Sequence, residues 1–233
     1  MNRIAAWFTH MYTASGICFG FLALHALSGH SFRTAMGWLL ICLFVDATDG
    51  ILARSFQVKR VIPWMSGKRM DALVDFSTYA LIPAYFVCQS TLVPAELSVA
   101  TAFYILLISL FYYGKEGMIR EERFFAGFPV LWNLVGLYLF FVFSFDPIIN
   151  LCLILFFGIL HFIPIRIPYP SRGIQNDTIS FAITMCLLID FMLIVLWYPE
   201  AVVWTKVVAV TGGIYFTILT VIYSFRKGKG MDK

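Results

Sequence analysis

The stretch DATDGILARSFQVKRVIPWMSGKRMDALVD, residues 46–75, carries four aspartates at the ends of two apolar segments, with five basic residues between them. Its spacing is D-x-x-D-G-x-x-A-R, then twelve residues, then G-x-x-x-D-x-x-x-D. Residues three or four apart share one face of a helix. Asp46 and Asp49 therefore project from one face of a first helix, and Asp71 and Asp75 from one face of a second. A turn between the helices brings both pairs to the same end. Hard divalent cations such as Mg²⁺ or Mn²⁺ take an all-oxygen cage of this kind, and carboxylates shared between two metals recur in displacement chemistry at phosphorus. The rival reading pairs these aspartates with Arg54, Lys68 and Arg69 at a membrane surface. Such pairing requires neither two facing aspartate pairs nor the glycines beside them.

Asp46, Asp49, Gly50, Ala53, Arg54, Gly67, Asp71 and Asp75 together resemble the signature of the CDP-alcohol phosphotransferases, with every motif position occupied. The gap from Ser55 to Ser66 is longer than most members have, and in this it is similar to the bacterial phosphatidylcholine synthase branch. The segments GFPVLWN (127–133) and HFIPIRIPYP (161–170) extend the likeness. The resemblance implies a membrane enzyme that transfers the phosphatidyl group of CDP-diacylglycerol directly to choline and releases CMP. It implies Mn²⁺ or Mg²⁺ as cofactor, two ions in all, with Asp46, Asp49 and Asp71 on one and Asp71 and Asp75 on the other. Asp75 is then also the candidate general base for the alcohol hydroxyl. Gly50, Ala53 and Gly67 keep the donor face shallow, and Arg54 can meet a phosphate with two parallel hydrogen bonds. Homodimers also occur in this family, although no dimer face is legible in the chain.

Working outward, 233 residues with 61% hydrophobic content, 13% charge and a mean hydropathy of +0.84 exclude an ordinary soluble domain. The chain reads as one all-α polytopic membrane domain over residues 1–233, since a bilayer needs roughly 20 apolar residues per helix. Eight spans are expected, near 11–28, 33–53, 69–88, 95–113, 128–145, 147–164, 179–198 and 202–224. Residues 1–10 are expected as a short interfacial turn, with Ile4, Trp7 and Phe8 toward lipid. The five cysteines lie singly in apolar segments and read as small core residues. Thr13, Ser15 and Gly16 give the first span a small, polar face suited to helix packing. Asp190, inside the seventh span, is expected to be a structural feature bonded to neighbouring helices. KEGMIREER (115–123) reads as a solvated connector.

Choline carries a quaternary ammonium that has no N–H to donate, so aromatic faces are its usual recognition element. Tyr112, Tyr113 and Trp132, with Glu116 for charge, stand at the cytoplasmic ends of the later spans and are the acceptor-pocket candidates. Arg166 and Arg172, near His161, could instead serve a phosphorylated acceptor, so serine, glycerol 3-phosphate and an inositol phosphate remain alternatives to choline. A transporter is the competing class. Transporter sites usually lie at the bilayer midplane between repeats, whereas these carboxylates gather at one face and no repeat is evident. Membrane lipids are the expected surroundings, and no nucleic-acid partner is expected.

Lysine and arginine placement sets the orientation. With both termini inside, all but Arg33 and Lys206 of the 17 Lys and Arg residues fall on the cytoplasmic side. An inner-membrane protein whose motif faces the cytoplasm follows. A reporter active only outside the cytoplasm should therefore be active when fused after residue 146 or 199, and silent after 60, 120 or 230. Activity at position 60 would put the motif on the wrong face for nucleotide chemistry.

Overall fold

The computed structural model describes residues 3–115, 119–120, 124–163, 165–168 and 177–225. The first helix, α1 (Arg3–Ser28), turns through Gly29–Ser31 into α2 (Phe32–Ser55). The turn closes with bonds from the His30 N–H to Leu27 O (2.9 Å) and the Ser31 N–H to Ala26 O (2.9 Å). One stripe of α1 is buried: Ala6, Thr9, His10, Thr13, Gly16, Gly20, Ala23 and Leu27. The steps of three and four along that stripe, and its small residues, let α2 and the later helices approach closely. The expected separate turn over residues 1–10 does not form. No glycine or proline precedes Gly16, so helix continues from Arg3, and Ala6 packs with Val58 and Ile62. Ile4 and Phe8 still face outward, 80% and 61% exposed.

A one-turn helix α3 (Val58–Val61) follows α2, and then a continuous helical run, α4 (Gly67–Asp75), a π-helical turn (Phe76–Leu81) and α5 (Ile82–Gln89). The π-helical turn starts at the residue after Asp75. After a 3₁₀ turn at Ala95–Leu97 comes α6 (Ser98–Gly114), then strands β1 (Ile119–Arg120) and β2 (Phe124–Ala126). Beyond these lie α7 (Trp132–Leu137) with a π-helical end (Tyr138–Val142), α8 (Pro147–Leu160), β3 (Arg166–Pro168), α9 (Asp177–Trp197) and α10 (Val203–Phe225). Five helices are long and apolar enough to cross a membrane: Arg3–Ser28, Phe32–Ser55, Ala95–Gly114, Ile179–Trp197 and Val203–Ser224. The run 67–89 and the shorter apolar helices Trp132–Val142 and Pro147–Leu160 complete the set, one for each expected span. The chain is an all-α polytopic membrane protein apart from one small sheet.

That sheet was not expected. β2 pairs antiparallel with β1 and with β3, matching Phe125 to Ile119 and to Ile167. The connector over 115–123 is thus partly strand, with residues 116–118 and 121–123 outside the described residues. The fifth expected span also shortens. Gly127 has φ +92°, a conformation that L side chains rarely adopt, and Pro129 follows, so residues 127–131 stay non-helical until Trp132. Asp190 departs from expectation too. It is 4% exposed in α9, and neither carboxylate oxygen has a hydrogen-bond partner among the described residues. The nearby Tyr138 hydroxyl donates instead to Ala209 O (2.6 Å).

Close packing of α1 on α4 is tested by two glycines. A Cβ on Gly16 would sit 2.7 Å from Val74 Cγ1, whereas one on Gly37 in α2 would meet nothing within 4 Å. Alanine gains about 1 kcal/mol over glycine in a helix interior, while overpacking against a stiff β-branched side chain costs about 1–3 kcal/mol. Gly16→Ala should therefore lower the thermal midpoint of the detergent-solubilised protein, and Gly37→Ala should leave it unchanged or raise it. Equal midpoints for the two variants would contradict the packing.

Candidate active site

The last turns of α2 present Asp46 and Asp49, and the α3 segment folds back so that α4 starts beside them. Ser66 caps α4, its Oγ accepting from the Arg69 N–H (3.3 Å), which starts the helix in register for Asp71 to face α2. One carboxylate oxygen from each of Asp46, Asp49 and Asp71 lies within 4.8 Å of the others. Asp75, one turn further along α4, stands within electrostatic reach of Asp46, Asp71 and Asp49. The facing of the two aspartate pairs predicted from spacing is therefore present.

Two of these carboxylates are held by hydroxyl donors from other helices. Thr13 of α1 donates to Asp49 Oδ2 (2.7 Å), and Tyr79, in the π-helical turn, donates to Asp46 Oδ2 (2.7 Å). Asp49 is 8% exposed and Tyr79 4%, so both bonds are shielded from bulk solvent. Two oxygens on one divalent ion, each at about 2.0–2.6 Å, stand no farther apart than about twice that distance. The Asp46–Asp49–Asp71 oxygens meet this condition, and an all-carboxylate donor set suits a hard cation. The triad can bind a metal.

Around it, Gly50 lies against Arg54, where an added Cβ would meet the guanidinium Nη1 at 3.4 Å. Arg54 itself is exposed, and Ala53 is half-buried one position before it. Gly67, at the start of α4, stands beside the His10 ring, 3.5 Å from where a Cβ would be.

Comparison with known proteins agrees with this arrangement. A protein named phosphatidylcholine synthase from Rhizobium meliloti strain 1021 is 34% identical over 218 residues, 93% of this chain and 90% of that one. One of the same name from Pseudomonas aeruginosa strain PAO1 is 33% identical over 199 residues, 85% and 83% of the two chains. A third, from Agrobacterium fabrum strain C58, is 34% identical over 225 residues, 96% and 92%. The chain belongs to the phosphatidylcholine synthase family. No protein-family model matches it.

In this phosphatidylcholine synthase family member, the acceptor-pocket candidates separate into different surroundings. Tyr113 fronts the acidic site: Asp75, Asp46 and Asp71 all act electrostatically on its hydroxyl, and its ring packs edge-on against Phe76 at 5.9 Å. Tyr112 and Trp132 are 1% and 2% exposed and pack against His161 instead. Glu116 and Arg172 lie outside the described residues, and Arg166 falls in β3.

Thr13 and Tyr79 were not singled out as site residues from the sequence, where Thr13 read as packing. For Tyr79 a signal existed, because Asp71, Asp75 and Tyr79 repeat every four residues along one stripe. Donors that orient ligating carboxylates typically change metal affinity about 10–100-fold when removed. Tyr79→Phe keeps the ring and deletes the bond to Asp46, so its affinity for Mn²⁺ should fall by about 10-fold, read by titration calorimetry on the metal-stripped protein. An unchanged affinity would show that Asp46 needs no such support.

Proposed function

We propose that this chain transfers the phosphatidyl group of CDP-diacylglycerol to the hydroxyl of choline and releases CMP. Family membership supports the reaction, and the observation that carries it is the Asp46–Asp49–Asp71 cluster with Asp75 and Tyr113 beside it. Asp46, Asp49 and Asp71 would hold one divalent ion, Mn²⁺ or Mg²⁺, with Asp71 and Asp75 serving a second. Positive charge there offsets the donor pyrophosphate and polarises phosphorus. The site opens toward the cytoplasm of an inner membrane, as the lysine and arginine distribution supports, and the whole chain acts as one domain.

Each step is assigned to residues of this chain. Arg54 pairs with a donor phosphate through its planar fork. Gly50, Ala53 and Gly67 leave a shallow face on which the nucleotide lies. The choline oxygen attacks the phosphatidyl phosphorus. A P–O bond to choline forms as the P–O bond to CMP breaks, and the choline hydroxyl proton passes to the Asp75 carboxylate. Tyr113 presents its ring to the trimethylammonium group, a contact worth about 0.5–2 kcal/mol.

Purified protein in detergent should release CMP from CDP-diacylglycerol only when choline and a divalent cation are both present. Chelation should abolish turnover, and Mn²⁺ or Mg²⁺ should restore it. Release with serine, glycerol 3-phosphate or an inositol phosphate in place of choline would identify another acceptor, and no release with any alcohol would remove the transferase reading. Asp75→Asn should still bind donor and metal by calorimetry, yet lose about 10²–10⁴-fold in single-turnover rate, the range of a general base. A near-normal rate would take Asp75 out of that role.

A further inference from the structure

The segments GFPVLWN (127–133) and HFIPIRIPYP (161–170) are more than thirty residues apart at their centres in sequence, yet they meet. β2 runs against β3, the Gly127 N–H donates to Ile165 O (2.9 Å), and the Phe128 N–H donates to Leu160 O (3.0 Å). A Cβ at Gly127 would collide with the His161 carbonyl, so this closeness depends on glycine there. The junction encloses the His161 side chain. His161 is 0% exposed, stacked on Trp132 with ring centroids 5.2 Å apart and planes 27° apart. Trp132 is itself anchored to α6 by a bond from its Nε1–H to Ser109 Oγ (2.9 Å).

His161 Nδ1 lies 2.9 Å from Phe157 O. A carbonyl can only accept, so Nδ1 carries the proton and Nε2 is left with a lone pair. That Nε2 is buried without a hydrogen-bond partner among the described residues, and so is the Tyr112 hydroxyl. The two rings adjoin, edge to face at 5.3 Å. Leaving a buried donor and a buried acceptor both unpaired is costly, and pairing them with each other removes both costs at once. Tyr112 directly precedes Tyr113, which fronts Asp75, Asp46 and Asp71.

We propose that His161 is a positioning residue for the alcohol acceptor: its Nε2 accepts a hydrogen bond from the Tyr112 hydroxyl, which fixes the end of α6 and holds the Tyr113 ring at the carboxylates, where a quaternary ammonium can lie against it. Trp132 and Tyr112 thus serve the acceptor through His161 and Tyr113 and do not themselves touch it. The inference rests on the transferase reading given above.

The test uses His161→Phe, which keeps a stacking ring but has no acceptor, Tyr112→Phe, which deletes a single oxygen, their double variant, and His161→Gln, which restores an acceptor near the Nε2 position. Kinetics are read separately against choline and against CDP-diacylglycerol. Each single Phe variant should raise the choline KM about 10-fold, the loss of one hydrogen bond, with the CDP-diacylglycerol KM unchanged. The double variant should be no worse than either single one, and His161→Gln should recover most of the affinity. Unchanged choline KM in Tyr112→Phe, multiplying effects in the double variant, or equal losses for both substrates would overturn the assignment. If the wild type turns over a different alcohol, the choline reading fails, and the same comparison on that alcohol still decides the role of His161.

Discussion

A carboxylate inside a membrane-spanning segment costs about 2.5–3.5 kcal/mol at the helix centre on insertion scales, and this chain gathers four at the junction of α2 and α4. Much of the surrounding structure can be understood as what makes that gathering tolerable. The carboxylates lie at helix ends, where the cost is smaller than at the centre. Hydrogen bonds to charged acceptors contribute about 1.5–3 kcal/mol each, and Thr13 and Tyr79 supply two of them. Thr13 can reach Asp49 only if α1 lies flat against its neighbours. That is why Gly16, one turn beyond Thr13 on the same stripe, meets Val74 with no room for a side chain. The packing of three helices and the electrostatics of the site are therefore one requirement.

The helices and the acidic pairs were legible in the sequence because both depend on short-range periodicity. An apolar run of bilayer length and an i, i+3 or i, i+4 spacing mean the same thing whatever surrounds them. What could not be read depends on contacts between segments remote in sequence. Thr13 and Asp49 are 36 residues apart, and Tyr79 and Asp46 are 33 apart. Nothing local marks either pair as bonded. The small sheet joins Phe125 to Ile167 across 42 positions, and its strands of two or three residues are too short to carry a period of their own. The N-terminal turn failed for the opposite reason. Local punctuation was read into residues 1–10 where none exists, and α1 runs on through them.

The acceptor candidates show the limit most clearly. Tyr112 and Tyr113 are adjacent, and neighbours on an α-helix point about 100° apart, so one helix end could not turn both rings to the same ligand. The structure turns Tyr113 to the carboxylates and Tyr112 to His161. Composition placed both at the right end of α6, but only the rotation of that helix about its axis distinguishes them. That rotation is set by the partners of Tyr112, Ser109 and Trp132, which the sequence leaves open.

The lipid side of the site follows from the same helix geometry. Asp71 and Asp75 turn inward from α4, while Leu73, between them, is 71% exposed and faces outward. Leu81, at the end of the π-helical turn that follows, is 46% exposed. One short helix thus has an acidic stripe and an apolar stripe separated by a couple of residues. On the proposed reading, a donor with two acyl chains and a pyrophosphate headgroup needs both stripes together. Its chains can remain in the bilayer along the outer stripe while its phosphates reach the inner one. Choline, which is small and charged, has no reason to enter the apolar region, so the aromatic ring that receives it belongs at the end of α6, where Tyr113 is found. A carboxylate cluster at the bilayer midplane would make the lipid drag its headgroup inward, so a site at the helix ends is the cheaper solution for a reaction that joins a lipid to a soluble alcohol.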